Sequence, residues 1–299
     1  MKNKLIILGV GLLTGASLIL NSCSEDDPID TSISVISVDE KLQTDFDTYL
    51  KHILTEPYNI SFLYRMEDIE SDMNYQLVPA QYENSVKMAN LVKYLCLDAY
   101  DEVAPEGFLK LYFPKMIMLV GSPAYLNNGT IILGTAEGGL KITLYDINRL
   151  DITNIDRLYE YYFRTIFHEF SHILHQTKDY TTDFDRISVT NYVGDSWSEA
   201  WDGGSSLQAG FISDYSSKEP NEDFVELIAH YITYSPEKWA ETLDAAGANG
   251  SSIINQKMDI IRSYLSMSWD IDIDQLRNAV QTRAANLDNL DLDNITIEE

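Results

Sequence analysis

Apolar residues recur along most of this chain at the three- and four-residue spacing of a helix that buries one face. Residues 39–54 carry Leu42, Phe46, Tyr49, Leu50 and Ile53 in that spacing, and 85–100 carry Val86, Met88, Leu91, Val92, Leu95 and Leu97. Beyond Pro105 the pattern changes. Residues 115–120 form a short apolar run before Gly121-Ser122-Pro123, 130–133 follow the turn signal Asn127-Asn128-Gly129, and 140–145 alternate with period 2. These signals predict three strands of a small sheet. Helical spacing returns at 156–176, at 222–234, from Pro236 onward, at 253–269 and at 273–287. The stretch 177–210, rich in Asp, Thr, Ser and Gly with Trp197 and Trp201, reads as loop with short turns. A long loop between two parts of a site is often functional. The pattern predicts an α+β fold, mostly helical, with a small antiparallel or mixed sheet.

The 156–176 segment is not one-sided. Tyr161, Tyr162, Phe163, Ile166, Phe167, Phe170, Ile173 and Leu174 cover it almost all round, which marks a buried helix. Yet it contains His168-Glu169-Phe170-Ser171-His172, and polar groups buried this way need partners. His168 and His172 stand at i and i+4, so they present two imidazoles to one metal ion. Glu169 lies about 100° round the helix, badly placed as a ligand but able to reach a water on that metal. Two His ligands, a carboxylate base and an open coordination position are the H-E-x-x-H zinc site. Such a zinc ion lowers the pKa of its water to about 7, and Glu169 is the base expected to take the proton. In zinc peptidases the sheet packs beside the metal helix, and its edge strand can pair with an extended peptide.

A third ligand is required. The extended motif with a third His six residues after the second fails, because Lys178 is there and His175 takes the place of its Gly. His175 reads as structural or as a support for a ligand. The alternative is a Glu on a later helix. Glu222 and Glu226 stand at i and i+4 among Phe224, Val225, Leu227, Ile228, Ala229 and Ile232. One can bind zinc while the other accepts a hydrogen bond from a ligand imidazole. Asp223 and Glu226 are the fallback ligands. His230 reads either as a buried helix residue or as an electrophile, and His52 as a surface residue.

Composition bounds the rest. The chain has 299 residues and a net charge of −26, which disfavours nucleic acid and anionic lipid surfaces as partners. Its two cysteines, Cys23 and Cys96, suggest neither a disulfide framework nor a zinc ribbon. Cys96, among Leu91, Val92, Leu95 and Leu97, reads as a small core residue. Lys2 and Lys4 precede an apolar stretch over 5–20, and Leu20-Asn21-Ser22-Cys23 resembles a bacterial lipobox, with Cys23 lipidated. Glu25-Asp26-Asp27 behind it resembles a surface-export signal. The expected organisation is a signal peptide over 1–22, an acidic tether over 23–35, a catalytic domain over 36–287 and a frayed acidic tail over 288–299.

With HEFSH followed about fifty residues later by Glu222-Asp223-Phe224-Val225-Glu226, the chain resembles the gluzincin-type peptidases. Together with the lipobox it is similar to the zinc metallopeptidase lipoproteins associated with TonB-dependent outer-membrane import in Bacteroides-type bacteria. The resemblance spans 165–234; the N-terminal third carries no matching motif, and the Gly-x-Met-Glu-Asn aminopeptidase signature is missing. It implies a zincin-like fold, one zinc held by His168, His172 and Glu222, and Glu226 supporting a ligand His. Tyr215, seven residues before Glu222, matches the oxyanion donor of some relatives. The implied protein is a cell-surface, lipid-anchored metallopeptidase whose partners are a peptide or protein substrate and a TonB-dependent uptake complex. Two rival classes stand beside it: a non-enzymatic surface binder, whose structural zinc has His175 or Asp223 in the fourth position, and a hydrolase of other amides or esters.

Overall fold

The computed structural model describes residues 43–66, 76–125, 131–132, 134–137, 140–201, 203 and 205–297. The expected signal peptide and tether, with Cys23, lie outside the described residues, as do 39–42 of the first helical signal and the whole Asn127-Asn128-Gly129 turn.

The first described helix starts where its sequence can cap it. Thr44 Oγ1 accepts from the Asp47 amide at 3.2 Å, and Asp47 Oδ2 accepts from the Thr44 amide at 2.7 Å. This reciprocal pair satisfies two donors that a bare helix start would leave open. The run continues through Asp45–Leu50, Lys51–Thr55 and Glu56–Tyr58, then stops at Asn59, whose φ of 58° is left-handed. A second run, Tyr82–Leu91, Val92–Leu97 and Asp98–Val103, buries the predicted apolar face together with Cys96.

The strands are β1 Ser61–Leu63, β2 Met116–Leu119, β3 Ala124–Tyr125, β4 Ile131–Ile132, β5 Gly134–Glu137 and β6 Lys141–Leu144. Four of them form a mixed sheet in the order β1-β2-β6-β5. β1, β2 and β6 run parallel, with Ile117 opposite Ile142 and Leu119 opposite Leu144, and β5 is antiparallel to β6. β3 and β4 pair separately. β1 carried no clear strand signal; of the expected strand over 130–133, the described residues 131–132 form β4, and β5 follows at 134–137. In β6, Ile142, Thr143 and Leu144 are all buried, because an interior strand is covered on both faces.

Ile155–Leu158, Tyr159–Phe163 and Arg164–Thr177 form one run ending in the histidine helix. The glutamate helix, Pro220–Thr233, packs against it, and β5, the sheet edge, lies alongside. The helix Pro236–Trp269 is broken at Gly247, where φ is 67° and ψ −178°, so its halves match the two separate helical signals. Ile273–Ala285 closes against the glutamate helix and Asp98–Val103. Residues 288–297 do not fray as expected. Leu287 and Leu292 are buried, and Asn90 Nδ2 donates to the carbonyls of Leu292 at 2.8 Å and Asn294 at 3.1 Å. The acids of this stretch hid apolar residues spaced to dock.

Gly210 joins the 177–210 segment to the body. Its φ is 88°, and an added Cβ would overlap the side chain of Ile253. Left-handed strain and overpacking together are expected to cost about 2–4 kcal/mol in Gly210→Ala. Urea unfolding of the two proteins, read as a lower midpoint at unchanged slope, checks this.

Candidate metal centre

The histidine helix puts Ile166, Phe167, Phe170 and Leu174 into the core and leaves His168 and His172 on the flank facing the glutamate helix. Pro220 opens that second helix in its first turn, where a missing amide costs nothing, and Glu222 follows at the end nearest the imidazoles. One donor atom each from His168, His172 and Glu222 lies within 4.8 Å of the other two. Glu222 Oε2 is 3.3 Å from His168 Nε2 and 3.3 Å from His172 Nε2. Donors about 2.0–2.1 Å from one tetrahedral ion stand roughly 3.3 Å apart, so this spacing suits zinc.

Proton placement makes the same point. His168 Nδ1 lies 2.8 Å from Glu226 Oε1, and a carboxylate accepts only from a protonated nitrogen. His172 Nδ1 lies 3.0 Å from His175 Nε2. Burial, then the neighbouring His172, lowers the His175 pKa to about 4, so His175 is neutral and its Nε2 can accept from His172 Nδ1. With the ring protons on Nδ1, the Nε2 atoms of both imidazoles are free to bind a cation beside Glu222 Oε2. In metal-free protein a further proton on His168 fills that role, and a metal ion can take its place. The residues present fit zinc.

Each group behind the ligands is held in turn. Ser213 Oγ donates to Glu226 Oε2 at 2.7 Å, and His230 Nδ1 donates to the Glu226 carbonyl at 2.8 Å. His230 is therefore buried behind Glu226, away from the three donors, and the reading of it as an electrophile is dropped. His52 is exposed, as expected. Tyr215 Oη donates to Glu222 Oε1 at 2.8 Å, with Lys218 Nζ 3.6 Å from the same oxygen. The Trp197 ring stands edge-on to Tyr215 at 5.0 Å. Burial and then Glu222 raise the tyrosine pKa far above 10, so Oη stays a donor. Burial would raise the Glu222 pKa, but hydrogen bonds from His168, His172 and Tyr215 outweigh it and hold the carboxylate ionised. Glu169 faces the same centre, and burial raises its pKa, with Glu222 and Glu226 adding to the rise against the pull of His168 and His172.

The alternative ligands are committed elsewhere. His175 serves His172, and Asp223 Oδ2 accepts from Lys257 Nζ at 2.6 Å and Tyr192 Oη at 2.8 Å. Ser213, Lys218 and Tyr192 carried no motif; the only available signal was the closeness of Ser213 and Lys218 to Tyr215.

Residues 39–274 match the model of a family described as putative zinc-binding metallo-peptidases. The chain belongs to this family. The match takes in His168, His172 and Glu222, the group whose donor atoms could hold a metal ion. Among solved structures, the crystal structure of a putative zinc-binding metallo-peptidase from Bacteroides caccae is similar, with 44% identity and a TM-score of 0.77; the alignment covers 88% of this chain and 100% of that one. No curated protein matches the chain.

The electrostatics set a pH dependence. Burial lowers the His168 pKa, but hydrogen bonds to Glu222 and Glu226 outweigh it and raise it to about 10. Metal-free protein therefore keeps a proton on His168 at neutral pH, which zinc must displace. Zinc affinity is expected to rise by about tenfold per pH unit between pH 6 and 9, with release of about one proton. Chelator competition across that range, with calorimetry in buffers of different ionisation enthalpy, measures both.

Proposed function

We propose that this protein is a gluzincin-type zinc peptidase that hydrolyses peptide bonds. The observation that carries the reading is the position of Glu222 Oε2, 3.3 Å from the outward nitrogens of both His168 and His172. His168, His172 and Glu222 would hold the ion. When bound there, zinc supplies Lewis acidity, making water acidic near neutral pH and polarising a carbonyl.

The protein's own groups do the rest. Glu169 takes the proton of the attacking water and returns it to the departing amine; its burial-raised pKa brings its basicity closer to that task. Tyr215 offers its hydroxyl to the carbonyl oxygen as negative charge grows there. To do so it must leave Glu222 Oε1, where Lys218 stays to balance the charge. The outer edge of β5, beside the histidine helix, offers backbone groups to an extended peptide.

The same reading places the enzyme on the cell surface, lipidated at Cys23 and serving a TonB-dependent uptake system. Its support is Leu20-Asn21-Ser22-Cys23, the acids Glu25, Asp26 and Asp27 and the family resemblance. No helix among the described residues is long and apolar enough to cross a membrane. The membrane would then be met only through the lipid.

Glu169→Gln keeps the side-chain shape and removes the base. Turnover should fall by about 10²–10⁴-fold with zinc content unchanged. A peptide-library assay on wild type and variant, with metal analysis of both, checks this; equal cleavage removes Glu169 from the mechanism. For the anchor, Cys23→Ala should move the protein from membrane to soluble fractions of the native host. Wild type that external protease cannot reach on intact cells would place it elsewhere.

A further inference from the structure

Beside Glu222 stands a buried ion pair that the proposed chemistry does not use. The side chains of Asp223 and Lys257 are each 1% exposed. Lys257 Nζ donates to Asp223 Oδ2 at 2.6 Å and to the Gly210 carbonyl at 2.8 Å, and it lies 4.3 Å from the centre of the Phe211 ring. Tyr192 Oη donates to the same Asp223 oxygen at 2.8 Å. Asp223 Oδ1 has no hydrogen-bond partner among the described residues. Such pairs seldom add stability over apolar residues of similar size, so the value of this one lies in what it joins.

It joins the glutamate helix, through Asp223, to both ends of the segment that carries Tyr215. From Gly210 the chain runs through Phe211 to Ser213, whose hydroxyl holds Glu226 at 2.7 Å. From Tyr192 it runs to Val193 and Gly194, whose amides donate to the carbonyls of Ser217 at 2.9 Å and Lys218 at 3.1 Å. Trp197 continues this strap and meets the Tyr215 ring edge-on at 5.0 Å. Trp201 Nε1 then donates to Ser217 Oγ at 2.7 Å. Tyr215 is thus gripped from both directions, and each grip leads back to one carboxylate oxygen.

We propose that Tyr192, Asp223 and Lys257 are positioning residues for Tyr215. They fix the 192–218 segment on the glutamate helix so that the tyrosine hydroxyl reaches the reacting carbonyl, and they act on turnover rather than on zinc binding. This rests on the reading of Tyr215 as the oxyanion donor.

Tyr192→Phe removes one hydroxyl and keeps the ring against Phe211. It should lower kcat by about tenfold or more, since small misplacements of a catalytic group are costly, with KM and zinc content little changed. In a Tyr215→Phe background the same change should have no further effect, because the group it positions is gone. Equal fractional losses of kcat in both backgrounds, or no loss in either, overturn the proposal. The neutral pair Asp223→Asn with Lys257→Met should behave like Tyr192→Phe.

A second readout does not need turnover. Trp239 and Trp269 are buried, so acrylamide reaches mainly Trp197 and Trp201 on the strap. Quenching should rise in Tyr192→Phe at unchanged melting temperature. A wild type that cleaves no peptide sinks the peptidase reading and, with it, the role in turnover; unchanged quenching shows that the cluster does not hold the strap.

Discussion

The site turns on one oxygen. Glu222 Oε2 faces two imidazole nitrogens whose protons are held on the far side of each ring, by Glu226 for His168 and by His175 for His172. With those protons alone neither imidazole donates to that oxygen, so a further proton or a cation is needed between them. Only a positive charge between the three makes the arrangement favourable. Without metal, that charge is a proton on His168, whose raised pKa reflects its two carboxylate neighbours.

Packing keeps these few ångströms from relaxing. Phe170, on the core side of the histidine helix, contacts Tyr100, Phe108 and Phe113 with ring centres 5.2, 5.7 and 4.9 Å away. Behind the glutamate helix, Phe224 stacks on Tyr180 at 4.0 Å, and Tyr180 closes on the ring of His175 at 5.7 Å. The ligand helices are therefore wedged from both sides by rigid aromatic groups, and the outer hydrogen bonds choose the tautomers. Holding ligand orientation this way is worth tenfold or more in metal affinity in comparable sites, about 1–3 kcal/mol.

The helices and the paired side chains on them were legible because a helix turns spacing into direction. A pair at i and i+4 shares a face whatever surrounds it, so His168 with His172 and Glu222 with Glu226 could be read as pairs. Which glutamate meets which imidazole depends on how two helices cross, which no local spacing encodes; the assignment of Glu222 came from resemblance. β1 was missed because three residues of an edge strand carry too little periodicity. β6 was found by its alternation, although three of its four residues are buried because both faces of the strand are covered. The strap was the least legible part. Ser213, Lys218 and Tyr192 reach the glutamate helix through hydrogen bonds and an ion pair that are set only in the folded chain, and Ser, Lys and Tyr at such positions look like ordinary loop composition.

The division between helix and loop has a chemical reason. Metal ligands must not move, and the residues proposed to hold the ion, His168, His172 and Glu222, sit on helices of fourteen residues each, wedged by aromatic rings. The proposed oxyanion donor has the opposite requirement, because its hydroxyl must exchange a resting partner for the developing charge. Tyr215 lies in a short turn, Tyr215–Ser217, where its ring can shift without bending a helix. Its resting partner is the ligand oxygen that does not face the two imidazoles, so its departure leaves Glu222 Oε2 in place. Lys218, three residues on and 3.6 Å from that vacated oxygen, limits the electrostatic cost of the exchange. A neutral residue at 218 would leave Glu222 Oε1 without a compensating charge if Tyr215 moved as proposed, and the exchange would then oppose the proposed reaction.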